Sequence, residues 1–244
     1  MKTYTITDVG KVRSENQDCI RFVSNTLPSF GILALCDGMG GAKAGSVASE
    51  IALSAFISRT VENLTLRKPK APLDESAADA VSYANTCVFE RSTCDNECAG
   101  MGTTLVAAII KGRQCCIANV GDSRAYLISN GEIAQITRDH SFVEDMVDRG
   151  SITREQARNH PRKNVITRAL GAEETVECDC FSPTFKKNDL LLLCSDGLSN
   201  TLTDEEILEI SKRCKNLADM AKELLDLALS RGAPDNVTVG LLRK

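Results

Sequence analysis

Ile32-Leu33-Ala34-Leu35-Cys36 runs straight into Asp37-Gly38, and Leu190-Leu191-Leu192-Leu193-Cys194-Ser195 runs straight into Asp196-Gly197. Each run is short, continuously apolar and closed by glycine, the pattern of a buried strand. A carboxylate at the tip of a buried strand is costly unless something compensates it. Two such tips, with further aspartates in similar settings, point to a shared metal cluster.

With 244 residues, 43% of them hydrophobic, the chain can bury a sizeable core. No Pro/Gly/Ser-rich linker divides it, so residues 1–244 are read as one domain. The net charge of -4 argues against a nucleic-acid partner, because nucleic-acid binders show a basic excess. No apolar stretch approaches the ~18 residues that span a bilayer. Met1-Lys2-Thr3-Tyr4 carries no apolar leader, so a cytoplasmic protein, away from membranes, is expected. With no extra interaction segment evident, a monomer is expected too. The 11 cysteines are odd in number and irregular in spacing, unlike a disulfide framework. Neither Cys94 with Cys98 nor Cys178 with Cys180 has the C-x2-C spacing typical of zinc sites. Reduced cysteines filling apolar space are the expectation.

Tyr4 to Thr7, Cys19 to Val23 and Gly31 to Cys36 read as strands. Ala42 to Val61 and Asp74 to Arg91 read as helices, and Asn63 to Pro72 between them as a basic loop. Thr103 to Ile110 and Gln114 to Val120 read as paired strands. Asn130-Gly131, between Ala125 to Ile128 and Glu132 to Ile136, is a hairpin signal, because both turn positions take positive φ. Asp139 to His160 is polar and weakly helical. Thr175 to Phe181, Leu190 to Cys194 and Val237 to Leu242 read as strands. Thr203 and Glu206 form a capping-box pattern opening a helix to Arg213, and Leu217 to Leu229 is an amphipathic helix. Strands come in runs separated by runs of helix, which is α+β with largely antiparallel sheets.

Asp18, Asp37, Asp122, Asp196 and Asp235 each stand beside a predicted strand tip, with Gly38, Gly121, Gly197 and Gly232 close by. Glycine lets the backbone approach an ion and offer its carbonyl. An all-oxygen set selects hard cations such as Mg²⁺ or Mn²⁺. His140 and His160, the only histidines, cannot build a histidine-rich zinc site. Several carboxylates also suit two ions sharing a bridging ligand. A lone Asp-Gly is ordinarily a turn, so the order and flanks of the whole set carry the argument. They are Thr7-Asp8-Val9-Gly10, Arg13, Glu15-Asn16-Gln17-Asp18, Asp37-Gly38-Met39-Gly40-Gly41, Gly102-Thr103-Thr104, Gly121-Asp122-Ser123-Arg124, Ser195-Asp196-Gly197-Leu198 and Asp235-Asn236-Val237-Thr238. In this order and spacing the chain resembles the bacterial branch of the metal-dependent serine/threonine protein phosphatases, the protein phosphatase 2C type, from about Thr5 to Leu241.

That resemblance implies a central antiparallel β-sandwich flanked by α-helices on both faces, a four-layer αββα fold. It implies two Mn²⁺ or Mg²⁺ ions bridged by Asp37. The Gly38 carbonyl then serves one ion and Asp196 and Asp235 the other, while Asp18 holds metal-bound water. Asp122, sharing Asp196, matches the ligand of a third ion. Arg13 matches the phosphate clamp, since its planar fork can hold two phosphate oxygens. Asn236 and Ser123 are expected to orient ligands. Asp37, Arg13 and Asp196 are thus the implied catalytic residues. A metal-bridging hydroxide would attack phosphorus in line with the leaving serine or threonine oxygen, without a phosphoenzyme. The implied partners are phosphoserine and phosphothreonine proteins and a cognate bacterial serine/threonine kinase. Residues 141–163 match the family's flap and are dense in charge, from Glu144 to Arg162.

Met39 stands where many eukaryotic members carry a histidine proposed as general acid, and methionine donates no proton. Metal-bound water is the first substitute and His160 the second; the plainer role for His160 and His140 is to pack their segments. Other classes fit less well. A catalytically dead binding module would lack metal-ligand aspartates, and Asp37, Asp196 and Asp235 are present. A sporulation or stress-response phosphatase would carry sensor or membrane segments. A metal-dependent nuclease would need a basic groove, and a cysteine phosphatase a C-x5-R arrangement.

Overall fold

Leu190 to Cys194 are all buried because both faces of their strand are covered. Leu190, Leu192 and Cys194 join a core shared with helices, whereas Leu191 and Leu193 join a core shared with another sheet. Ile32, Ala34 and Cys36 divide from Leu33 and Leu35 in the same way. Side chains alternate faces along a strand, so a strand with two dry faces reads as an unbroken apolar run.

The computed structural model describes residues 1–27, 29–40, 44–65 and 71–244. In chain order the first half holds β1 (Lys2–Asp8), β2 (Asp18–Thr26), β3 (Ser29–Met39), α1 (Ala44–Thr65), α2 (Leu73–Cys94), β4 (Gly102–Thr103), β5 (Leu105–Lys111) and β6 (Gln114–Val120). The second holds β7 (Arg124–Ser129), β8 (Glu132–Gln135), α3 (Phe142–Asp148), α4 (Arg154–Arg158), β9 (Asp179–Phe181), β10 (Leu190–Cys194), α5 (Asp196–Ser199), α6 (Asp204–Arg213), α7 (Leu217–Ser230) and β11 (Val237–Arg243). One sheet has the order β1-β11-β10-β7-β8 and the other β2-β3-β5-β6-β9, with β4 paired to β3. Every pairing is antiparallel.

Three apolar layers hold four structural layers together. Phe56 of α1 and Ala84 of α2 pack on Ile32 and Ile109 of one sheet. Leu33, Val106 and Ile117 of that sheet meet Leu191 and Leu193 of the other. Leu192 and Val239 then meet Ile207 of α6 and Leu224 of α7. Each of the larger of these side chains (Leu, Ile, Val, Phe), fully buried, contributes about 1.5–3 kcal/mol. The fold is therefore the expected four-layer αββα sandwich, and Asp37 of β3, Asp196 at the start of α5 and the loops holding Asp122 and Asp235 meet in one cavity.

Local signals act as the sequence indicates. Asn130 and Gly131 have φ of 53° and 81°. Thr203 and Glu206 form a capping box that opens α6. Two readings change. The strand expected over Thr175 to Phe181 shrinks to β9, because its partner β6 ends at Val120 and offers pairing only at Ile117, Ala118 and Asn119. The preceding backbone is held instead by Asn85 Nδ2, which donates to the Glu173 and Glu174 carbonyls. Helix α1 extends to Thr65, past Val61, because Leu64 still packs into the core. Residues 66–70 of the basic loop, residues 42–43 of the expected first helix and Gly41 lie outside the described residues.

Candidate metal centre

Asp37 is not at a strand tip. Strand β3 continues through Gly38 to Met39, because both pair with β4, Gly38 with Thr103 and Met39 with Gly102. Gly38 is needed for a close approach instead: a Cβ there would lie 2.1 Å from the Gly45 carbonyl oxygen at the start of α1. Gly38→Ala is expected to cost on the order of 3 kcal/mol of stability by overpacking, read as a lower urea midpoint. An unchanged midpoint would show that α1 yields.

The main chain of Asp37 is held on both sides. Its N–H donates to Thr104 Oγ1 at 3.0 Å, and its carbonyl accepts from Thr103 Oγ1 at 2.8 Å and Thr104 N at 2.9 Å. Ser123 Oγ lies 2.8 Å from Thr104 Oγ1, so Ser123 supports Asp37 through Thr104. Asn236 anchors the loop that carries Arg13: its Oδ1 accepts from Gln17 N at 2.9 Å, and its Nδ2 donates to the Val9 and Glu15 carbonyls. Gly10, with φ of +80°, lets that loop close on the Asp235 carbonyl. Arg13 Nη2 then donates to Asp235 Oδ2 at 2.8 Å.

Arg13, Asp37, Gly38, Asp122, Asp196 and Asp235 line one cavity of about 190 Å³. Gln17, Met39, Gly40, Thr104, Asn164 and Ile166 complete its wall. Asp18 is not part of the wall. It stands opposite Asp37 in the β2–β3 register, and its Oδ2 accepts from Ser195 Oγ at 2.8 Å and Thr238 Oγ1 at 2.6 Å. His160 is not in the wall either; it lies beside Phe142, and its Nδ1 accepts from Arg162 N. Sequence reasoning missed Asn164 and Ile166, which carry no local motif, and gave no role to Gln17 within Glu15-Asn16-Gln17-Asp18. It also left Arg124 without a role. Arg124 turns away to Asp139, donating through Nε at 3.0 Å and Nη2 at 2.7 Å.

Burial is the largest influence on these carboxylates, and mutual repulsion adds to it. Asp37 is raised well above the usual range by burial and by Asp18, Asp196, Asp122 and Asp235. Asp196 is raised by burial and by Asp122, Asp235 and Asp18. Burial and Asp139 push Asp122 up to about 7. Burial pushes Asp18 up to about 6, against hydrogen bonds from Thr238 and Ser195. Asp18 Oδ1 and Asp196 Oδ1 are buried without a hydrogen-bond partner. Clustered acceptors with orphaned oxygens fit a hard divalent cation. Among the described residues no three His, Cys, Asp or Glu side chains form a ready cage for one ion. Thiolate zinc sites require such closure. Mg²⁺ and its analogues keep several waters and need no closed all-protein cage.

A carboxylate-walled cavity at the end of an αββα sandwich defines a class, and comparison with known proteins agrees. The protein phosphatase 2C family matches residues 11–232. The serine/threonine phosphatase stp of Listeria monocytogenes serotype 4b is 42% identical over 241 residues, covering 98% of this chain and 94% of the relative. The crystal structure of the Mycobacterium tuberculosis serine/threonine phosphatase PstP/Ppp superposes with a TM-score of 0.87 at 38% identity, covering 98% of this chain and 97% of that one. A PstP catalytic domain in complex with 2 manganese ions superposes with a TM-score of 0.83 at 36% identity, covering 98% and 96%. The chain belongs to the protein phosphatase 2C family.

Proposed function

We propose that this chain removes phosphate from phosphoserine and phosphothreonine in proteins, using Mn²⁺ or Mg²⁺. The observation that carries the reading is the convergence of Asp37, Asp122, Asp196 and Asp235, with Arg13 and the Gly38 backbone, on one cavity. Asp37 and the Gly38 carbonyl would hold one ion, Asp37 with Asp196 and Asp235 a second, and Asp122 with Asp196 a third. When bound, two such ions supply a nucleophile from water near neutral pH and offset the charge on the phosphate. Asp18, behind Asp37, would orient water from the protein side. Asp235 holds one arm of the Arg13 fork, which aims the guanidinium at a phosphate in the cavity. In-line displacement of the serine or threonine oxygen follows, without a phosphoenzyme.

The same reading makes a serine/threonine kinase the opposing partner. It treats residues 1–244 as one catalytic domain, working as a cytoplasmic monomer. No helix among the described residues is long and apolar enough to cross a membrane. Residues 141–163, which carry α3 and α4, would be a flap over the substrate; Asn164 and Ile166 in the cavity wall support that placement.

Hydrolysis of para-nitrophenyl phosphate and a phosphothreonine peptide tests the proposal. Turnover is expected with Mn²⁺ or Mg²⁺ and none with EDTA. A folded, metal-loaded protein that turns over neither substrate would end the reading and favour a regulatory pseudoenzyme. Arg13→Ala is expected to raise KM about 10- to 100-fold, the loss of a hydrogen bond to a charged group. A fall in kcat alone would remove Arg13 from phosphate binding.

A further inference from the structure

Three of the cysteines gather where β6 and β9 meet α2. Cys178 Sγ and Cys180 Sγ lie 3.7 Å apart, and Cys116 stands on β6, the strand that pairs with β9. All three pack against the core beneath α1 and α2. Cys116 is buried, whereas Cys178 and Cys180 keep part of their surface open. The contact eases the ionisation of Cys180 and pushes Cys178 up. Two sulfurs in contact, both partly open to solvent, are the arrangement of an oxidisable pair.

Asp179 stands between the two sulfurs in sequence and points to the other side of the strand. It accepts from Arg168 Nη1 at 2.8 Å and lies 3.2 Å from His140 Nε2. His140 is only 4% exposed. Its Nδ1 accepts from Gly121 N at 3.0 Å, and its own N–H donates to the Gly121 carbonyl at 2.9 Å. Gly121 directly precedes Asp122 in the cavity wall. The sulfur pair is thus joined to a carboxylate of the cavity by Asp179, His140 and Gly121.

We propose that Cys178 and Cys180 are a modification site for hydroperoxides, closing to a disulfide that bends the chain at Asp179 and releases His140. Cys178 lies just before β9 and Cys180 within it; with extended backbone between them their Cα atoms stand about 6.6 Å apart, near the upper limit for a disulfide. Closure therefore shortens the strand at Asp179. The Cys180 thiolate attacks one peroxide oxygen; an S–O bond forms, the O–O bond breaks and hydroxide leaves, giving a sulfenic acid. The Cys178 sulfur then attacks that sulfur; the S–S bond forms, the S–O bond breaks, and hydroxide leaves with the Cys178 proton as water. Two electrons pass from the sulfurs to the peroxide, and a dithiol reductant returns them. The consequence for turnover rests on the phosphatase reading of the cavity, whereas the disulfide does not.

The test treats the Mn²⁺-loaded protein with hydrogen peroxide, blocks free thiols, and divides the sample between peptide mass analysis and para-nitrophenyl phosphate turnover. The peptide holding Cys178 and Cys180 is expected to lose two hydrogens. Turnover is expected to fall about tenfold, the scale of losing an outer hydrogen-bond partner in a metal site. Dithiothreitol should reverse both changes. Cys178→Ser should keep its turnover under peroxide, and Cys94→Ser, at an exposed thiol elsewhere, should remain as sensitive as wild type. Lost turnover with an unmodified peptide, or a Cys116–Cys180 link in its place, overturns the site. A disulfide with undiminished turnover overturns the coupling through Asp179. Should untreated protein show no turnover at all, the phosphatase reading fails while the peptide mass still decides the cysteine pair.

Discussion

Asp37→Asn is expected to end turnover while raising the thermal midpoint of the EDTA-treated protein. Asparagine keeps the shape of aspartate and removes its charge. That charge is buried and repelled by Asp18, Asp196, Asp122 and Asp235, which is why Asp37 holds its proton so far above the usual range. Removing it relieves the repulsion when no cation is bound. It also removes the carboxylate proposed to serve two ions, a loss of about 4 kcal/mol of transition-state stabilisation, or on the order of 10³-fold in kcat/KM. Steady-state kinetics with Mn²⁺ and melting curves with EDTA read the two effects on one sample. Turnover within tenfold of wild type would take Asp37 out of the centre. A lowered midpoint would mean that Asp37 is a structural carboxylate. The opposed signs mark a site in which stability is given up for function.

The second large effect is the pH dependence of stability in EDTA. Asp18 is pushed up to about 6 and Asp122 up to about 7 in the folded protein. In the unfolded chain both release their protons near pH 4, at about 3.9. The folded state therefore binds protons that the unfolded state has lost. Their contribution is full below about pH 4 and disappears as pH rises through 6 and 7, at about 1.4 kcal/mol per pH unit for each proton. Urea midpoints in EDTA are expected to fall across this interval. Mn²⁺ should oppose the fall, because a cation bound only by the folded state stabilises it in proportion to the logarithm of its concentration. Midpoints that stay flat or rise with pH in EDTA would mean that protein groups already compensate the carboxylates.

Much of this was legible along the chain, and the exceptions have physical causes. Strand β10, the Asn130-Gly131 turn and the capping box at Thr203 were readable because each depends on neighbours within a few residues. Gly38 was misread as a strand terminator because its reason is a carbonyl in α1, which no local pattern shows. The strand over Thr175 to Phe181 was overextended because propensity cannot reveal that β6 turns away at Gly121. Gly102-Thr103-Thr104 was recognisable as a motif, but its task of holding the Asp37 backbone emerged only from hydrogen bonds across β3 and β4. His140 was one of two ambiguous histidines until its ring nitrogen was seen to hold Gly121.

By itself the sequence determined the inventory: apolar runs that must be covered on both faces, five aspartates near them, an arginine near the start, and an order of motifs belonging to one phosphatase family. Only the tertiary structure decided which of those carboxylates share a cavity. It put Asp37, Asp122, Asp196 and Asp235 in the wall and Asp18 behind it, and it paired Arg13 with Asp235 across more than two hundred residues. The reason is the range of the forces. Backbone preference and side-chain periodicity act over a few residues and are written locally. Desolvation and charge repulsion depend on distance in space, which is set only when the two sheets pack and bring their loops to one end.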